Sequence, residues 1–217
     1  MQTYISPIGF NTTSVTRALI NHGISSDDAV ILVRPAEKTD DNRGTEAVAD
    51  VKQLLQEIAP TISVSVEEIP HNNFETAVMQ CSEIIRSADG SVVVSLSGGA
   101  RDVLLPLTVA TMAHQQVVDS TLGYSDIDGQ IREWGLPNIT ATPSDGQRET
   151  LTVMDTSDTE VSIPELTTQR DAAKSTVTRH VNALESDGFV TSRSKDRIKY
   201  VSITLAGRLY LARTASV

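Results

Sequence analysis

Four short runs rich in apolar and β-branched residues, at 3–8, 29–33, 62–66 and 91–96, the second of them apolar throughout, each give way to a segment with helical periodicity. Strands that are apolar throughout, rather than alternating apolar and polar, must be covered on both faces. Helices between them supply that cover, so the pattern specifies a parallel sheet with helices on either side. The helices are expected from Asn11 or Thr12 to His22, stopped by Gly23; over about 45–59, with Val48, Val51, Leu54, Leu55 and Ile58 on one face; over 73–88; and over 100–116. A polar loop, 34–44, precedes the second of them. The fold class is α/β, a Rossmann-like, mostly parallel sheet.

The alternation then breaks. Residues 120–124 and 130–134 flank Asp126-Ile127-Asp128-Gly129, whose Asp-Gly pair favours a primed hairpin turn, so the sheet should end in an antiparallel pair. Residues 136–147, rich in Pro, Asn, Thr, Ser and Gly, suggest a linker between a domain at 1–135 and a smaller one at 148–217. The smaller domain has its own rhythm: a helix at 148–154, a capped start at Ser162-Ile163-Pro164-Glu165, and a helix at 172–186 opened by Asp171 or Ala172 and closed by Asp187-Gly188. Strands at 189–193 and 198–203 around Ser194-Lys195-Asp196-Arg197, then a Thr204-capped helix to 212, complete a winged helix-turn-helix order.

Charge is distributed unevenly. The chain of 217 residues carries a net −10, yet residues 162–217 hold nine Lys/Arg against five Asp/Glu, and residues 1–161 nine against twenty-three. Acidic excess repels nucleic acid, so any DNA contact is confined to the C-terminal part. Lys174, Ser175, Thr176, Thr178 and Arg179 open the expected recognition helix, and Arg193, Lys195 and Arg197 sit in the wing, suited to phosphate. A solvated helix face and hairpin tip would show the same charges. No basic stretch followed by an apolar leader and no membrane-length apolar run is present, so a cytoplasmic chain without membrane contact is expected. Cys81, at helical spacing with Val78, Ile84 and Ile85, suits packing, and the four scattered histidines lack metal-ligand spacing. Arginine outnumbers lysine thirteen to five; the composition is similar to that of salt-adapted, haloarchaeal proteins and equally compatible with an acidic mesophile.

The fourth strand runs into Ser97-Gly98-Gly99-Ala100-Arg101-Asp102. A helix start exposes unpaired N–H groups, two glycines admit close approach of a ligand, and Arg101 adds a cation that the helix dipole disfavours unless an anion is present. The competing reading is a tight turn and nothing more. There is no G-x-x-x-x-G-K-[ST] and no G-x-G-x-x-G, and Arg34 ends the second strand where a dinucleotide fold places an acid. Gly9-Phe10-Asn11 also follows a strand, and in a sheet with strands one and four adjacent the two turns would meet at the switch point.

Two resemblances follow. Ser175-Thr176-Val177-Thr178-Arg179-His180-Val181 through Leu184-Glu185-Ser186-Asp187-Gly188-Phe189-Val190 resembles the winged helices of MarR- and ArsR-type prokaryotic regulators. The Gly-Phe-Asn turn, the Ser-Gly-Gly-x-Arg-Asp junction, the closing hairpin and the appended winged helix together resemble a CRISPR-associated Rossmann fold (CARF) transcriptional regulator of the archaeal type I-A kind. That resemblance implies a homodimer with no cofactor and no catalytic residues, acting on a promoter in a CRISPR-cas locus in antiviral defence. It implies a regulatory cyclic oligoadenylate, most often cyclic tetra-adenylate, bound across the two-fold by Gly9, Phe10, Asn11, Thr12, Ser97, Gly98, Gly99, Ala100 and Arg101. Two alternatives stay open: a ring nuclease that cleaves its ligand, with Ser6, Asn11, Thr12 and Ser97 assisting, and a constitutive DNA binder whose N-terminal domain only dimerises.

Overall fold

In the computed structural model, which describes residues 1–36, 41–156 and 160–214, the chain divides into two compact units, Met1–Gly135 and Leu136–Val217. Residues 37–40 of the expected polar loop and the last three of the expected second domain lie outside the described residues.

The first unit runs β1 (Gln2–Pro7), α1 (Thr13–His22), β2 (Ala29–Pro35), α2 (Asp41–Ile58), β3 (Ser63–Ile69), α3 (Phe74–Arg86), β4 (Ser91–Ser95), α4 (Arg101–Ala113), β5 (Val118–Tyr124) and β6 (Ile131–Glu133). The strand order is β3-β2-β1-β4-β5-β6, parallel except for β6, which pairs antiparallel with β5. The continuous apolar runs are explained by cover on both faces. Tyr4, Val30, Leu32 and Val93 pack with Val15 and Leu19 of α1 and with Val51 and Leu55 of α2. Their neighbours Ile5, Val92 and Val94 are buried too, as are Cys81, Ile84, Ile85, Val103 and Leu107 of α3 and α4. Each such side chain contributes about 1.5–3 kcal/mol by leaving water. Gly23, at φ +98°, ends α1, and the Asn73 side chain accepts the Thr76 amide at 3.0 Å to start α3.

The Asp-Gly hairpin departs from expectation. Six residues, 125–130, join β5 to β6, and of these Gly129 alone has positive φ, at +68°. A type I′ turn needs two successive residues there. Asp128 instead uses its carboxylate locally, pairing with Arg132 and accepting the Gln130 amide at 3.1 Å.

The second unit runs α5 (Asp145–Asp155), β7 (Val161–Ser162), α6 (Ile163–Gln169), α7 (Lys174–Ser186), β8 (Val190–Lys195), β9 (Ile198–Ile203) and α8 (Leu205–Thr214), with its sheet ordered β7-β9-β8. Leu151, Leu166, Val177, Val181, Leu184, Phe189, Val201 and Tyr210 form its core. Ser162 and Glu165 make the expected capping box. Asp171 does not open α7: at φ +46° it closes α6, its amide donating to Thr168 O at 3.3 Å, and Ala173 is the N-cap of α7. The segment expected as a linker is packed into this unit. Asn138 Nδ2 donates to Asp187 O at 3.1 Å, Ala141 lies against the core, and Ser144 starts α5 through a capping box with Gln147.

Candidate functional site

β1 and β4 are hydrogen-bonded neighbours, with Tyr4 opposite Val93, so the chain leaves both at the same edge and enters α1 and α4. Their glycine turns touch. A Cβ on Gly9 would lie 3.2 Å from Gly99 Cα; one on Gly99, at φ +72°, would lie 2.7 Å from Pro7 Cβ; and one on Gly98, at φ +76°, would lie 2.5 Å from Ser14 Oγ. Any side chain at Gly98 or Gly99 would meet both a positive φ and a clash. No side chain caps the first turn of α4, and at α1 the side chain of Asn11 accepts the Thr13 amide at 2.9 Å. Two helix N-termini, each a partial positive charge, thus converge on one point.

Above them lies a cleft of about 850 Å³, within the range of small-molecule sites. It spans the sheet edge. Gly9, Phe10, Asn11, Ser97, Gly98, Gly99 and Ala100 line its centre, Arg34 and Glu68 its β2–β3 flank, and Tyr124, Asp126 and Trp134 its β5–β6 flank. Phe10 is 54% exposed, with the Arg43 guanidinium 4.7 Å over its ring. Ser97 is a strut, its hydroxyl accepting the Tyr124 amide at 2.5 Å. Ser14 is different: it lines the cleft, and its buried hydroxyl has no partner among the described residues. A buried hydroxyl left unpaired costs about 1–3 kcal/mol, which a ligand acceptor would recover.

Thr12 and Arg101 fall outside the cleft wall. Ala100 and Leu104, one turn apart, form the α4 wall; Arg101, next round the helix, is exposed and makes no ion pair or hydrogen bond among the described residues. Ser14, Arg34, Glu68, Tyr124 and Trp134 were not singled out as ligand residues from the sequence. A usable signal existed for Arg34 and Glu68, since each follows a run expected as a strand, 29–33 or 62–66, by one or two residues, at the edge where the turns lie. Among the described residues, no group of three or more His, Cys, Asp or Glu is placed to hold a metal.

In the second unit, Lys174, Ser175, Thr178, Arg179 and Asn182 share one face of α7 and line an open groove of about 580 Å³. Thr176 does not line it and is half-buried. The wing cations divide into two kinds. Arg193 Nε donates to Glu160 at 2.7 and 2.8 Å, and this holds the Glu160 carboxyl below its usual range. Lys199 donates to Glu185 at 2.7 Å and to Asn182 at 2.9 Å, and its hydrogen bond lowers Glu185 likewise. Lys195 and Arg197 are exposed at the tip without an ion pair among the described residues.

A family model described as the Csa3 CRISPR-associated Rossmann-like domain matches residues 2–126. No curated protein matches the chain. Among solved structures, Enterococcus italicus Csm6 bound to cyclic hexa-2'-fluoro-hexa-dAMP is similar at TM-score 0.50 and 10% identity, over 71% of this chain and 45% of that one. Can2 from Sulfobacillus thermosulfidooxidans in complex with cyclic tetra-adenylate is similar at TM-score 0.43 and 9% identity, over 94% and 76%. ZitR, a zinc-responsive MarR family member from Lactococcus lactis, is similar at TM-score 0.32 and 14% identity, over 38% and 58%. The chain therefore spans about half the length of Csm6 and somewhat more of ZitR. The likeness to Csm6 speaks to the fold.

Proposed function

Since the chain belongs to the Csa3 CRISPR-associated Rossmann-like domain family over residues 2–126, we propose that it is a dimeric, ligand-responsive DNA-binding regulator of a CRISPR-cas locus, with a cyclic oligoadenylate, foremost cyclic tetra-adenylate, as its effector. The observation that carries this reading is the contact of the Gly9 and Gly99 backbones beneath the cleft, beside the uncapped start of α4. Such a floor offers N–H groups and helix dipoles to phosphate while excluding side chains. A ring of phosphates with two-fold symmetry would meet two copies of that floor, one from each protomer of an isologous dimer. Arg101, exposed beside its own cleft, is available to a ring that spans both copies. Csm6, which shares the fold, was solved with a cyclic oligonucleotide bound.

The second unit supplies the output. The α7 face, with Lys174, Ser175, Thr178 and Arg179, enters the major groove as a winged-helix recognition helix, and Lys195 and Arg197 contact phosphate. Thr176 lies off the groove-lining face and supports the helix rather than reading DNA. The ring acts as effector and not as substrate. Titrating duplex DNA from the chain's own cas promoter, at fixed salt, with and without cyclic tetra-adenylate, tests the reading. Coupling of about 1–3 kcal/mol would change affinity some 5- to 150-fold. Equal affinities would refute allosteric control, and linear adenylate products recovered from the mixture would make the ring a substrate.

A further inference from the structure

One lysine joins α7 to the hairpin. Lys199, on β9, donates from Nζ to Glu185 Oε2 at 2.7 Å and to Asn182 Oδ1 at 2.9 Å, and Ser192, on β8, donates to Glu185 Oε1. The Lys199–Glu185 pair is partly exposed and adds little stability. What it fixes is the neighbouring amide. An ammonium has only donors, so the Asn182 atom that faces it must be the oxygen. The nitrogen therefore lies on the other arm of the amide, and it has no partner among the described residues. Asn182 is exposed and lines the groove along α7. Lys174, Thr178 and Asn182 follow one another at four-residue steps, so Asn182 extends the face of the helix start by one further turn.

We infer that Asn182 reads a base edge as a hydrogen-bond donor, and that Lys199 is the positioning residue that sets this polarity. The inference rests on the reading of α7 as a DNA recognition helix and adds the class of base that it selects. In the major groove guanine presents two acceptors, O6 and N7, whereas cytosine presents only its amino donor. An amide that turns its nitrogen to the groove takes guanine foremost and rejects cytosine, against which N–H would face N–H. An asparagine free to turn would meet either base. Because Lys199 is engaged by Glu185 and Asn182, it acts through the amide and makes no phosphate contact of its own.

Selection of bound duplexes from a randomised library by the full chain, with and without cyclic tetra-adenylate, tests this when followed by affinities for the selected site and its single-base-pair variants. The wild type should prefer guanine to cytosine at one position by about fivefold or more. In Asn182→Asp the carboxylate accepts from the cytosine amino group, so at that position alone the preference should turn to cytosine. In Glu185→Met/Lys199→Met, which removes one charge of each sign, the preference should fall to about twofold or less while the salt slope of affinity stays as in wild type. An unchanged thermal midpoint shows that the unit is intact; Asn182→Asp, an exposed substitution, carries the test alone if the double variant does not fold. Unchanged base preferences in Asn182→Asp, or a wild type that binds all duplexes alike, overturn the inference while leaving DNA binding in place. A slope flatter by about one unit in the double variant makes Lys199 a phosphate contact and overturns its positioning role. A wild type that binds no duplex in either condition overturns both readings.

Discussion

Two tight turns, one in each unit, solve the same steric problem in opposite ways. At the switch point Gly98 and Gly99 hold φ of +76° and +72°, and there is no room for side chains. At the tip of the β8–β9 hairpin, Asp196 and Arg197 hold φ of +51° and +63°, the two successive positive values of a type I′ turn, with no glycine. Left-handed backbone costs an L residue about 1–2 kcal/mol. The difference follows from which group makes the contact. On the proposed reading, the backbone N–H is the binding group at the first turn, where side chains would obstruct, and side-chain charge is the binding group at the second, where the backbone bears the strain.

Substitutions that exchange these solutions should break them asymmetrically. Gly99→Ala has the largest expected effect: a methyl 2.7 Å from Pro7 Cβ at a positive φ should cost about 2–4 kcal/mol. Urea unfolding should show that loss, and calorimetry should show no binding of cyclic tetra-adenylate. Arg197→Gly should do the reverse in the second unit, raising stability by up to about 1 kcal/mol while weakening DNA binding and flattening its salt dependence by about one unit of slope. Retained DNA affinity in that variant would mean that the tip does not touch phosphate.

Acid should also separate the units. Burial, then the charges of Arg170 and Arg179, hold the His180 imidazole below its ordinary value. The folded second unit therefore resists protonation, and as pH falls below about 6.5 the unfolded chain takes up a proton that the folded one does not. Stability present above that pH is lost on acidification, seen as faster amide exchange in α7, and His180→Gln should abolish the dependence. In the first unit, burial opposes the charge of Asp28, but the amides of Gln2 and Ser25 and the Ser25 hydroxyl overcome it and hold its carboxyl low. That contribution persists until pH falls below the usual carboxylate range. Arg193→Ala should have the smallest effect on DNA affinity and its salt slope, because Glu160 already neutralises Arg193.

The same contrast explains what the sequence made legible. Strands buried on both faces leave a nearly continuous apolar run, so β1, β2 and β4 could be read directly, whereas the edge strand β3 alternates, with Ser63 and Ser65 exposed; glycines announced the switch-point turns. Local hydrogen bonds left weaker traces. Asp171 and Asp128 looked like a helix cap and half of a primed turn, yet one closes α6 and the other binds Arg132, choices set by neighbours in space. Residues 136–147 read as a linker because their apolar contacts, such as Ala141, are too sparse to show a period. In the cleft, the glycine floor was legible, whereas Ser14 and Trp134 arrive from α1 and from beyond β6 through tertiary packing alone.

The central claim is that each chain holds half of a site for one cyclic ligand. Calorimetric titration of the full chain with cyclic tetra-adenylate tests it most directly. One ring bound per two chains, lost in Gly99→Ala, is the expected result; one ring per chain, or no binding at all, would contradict it.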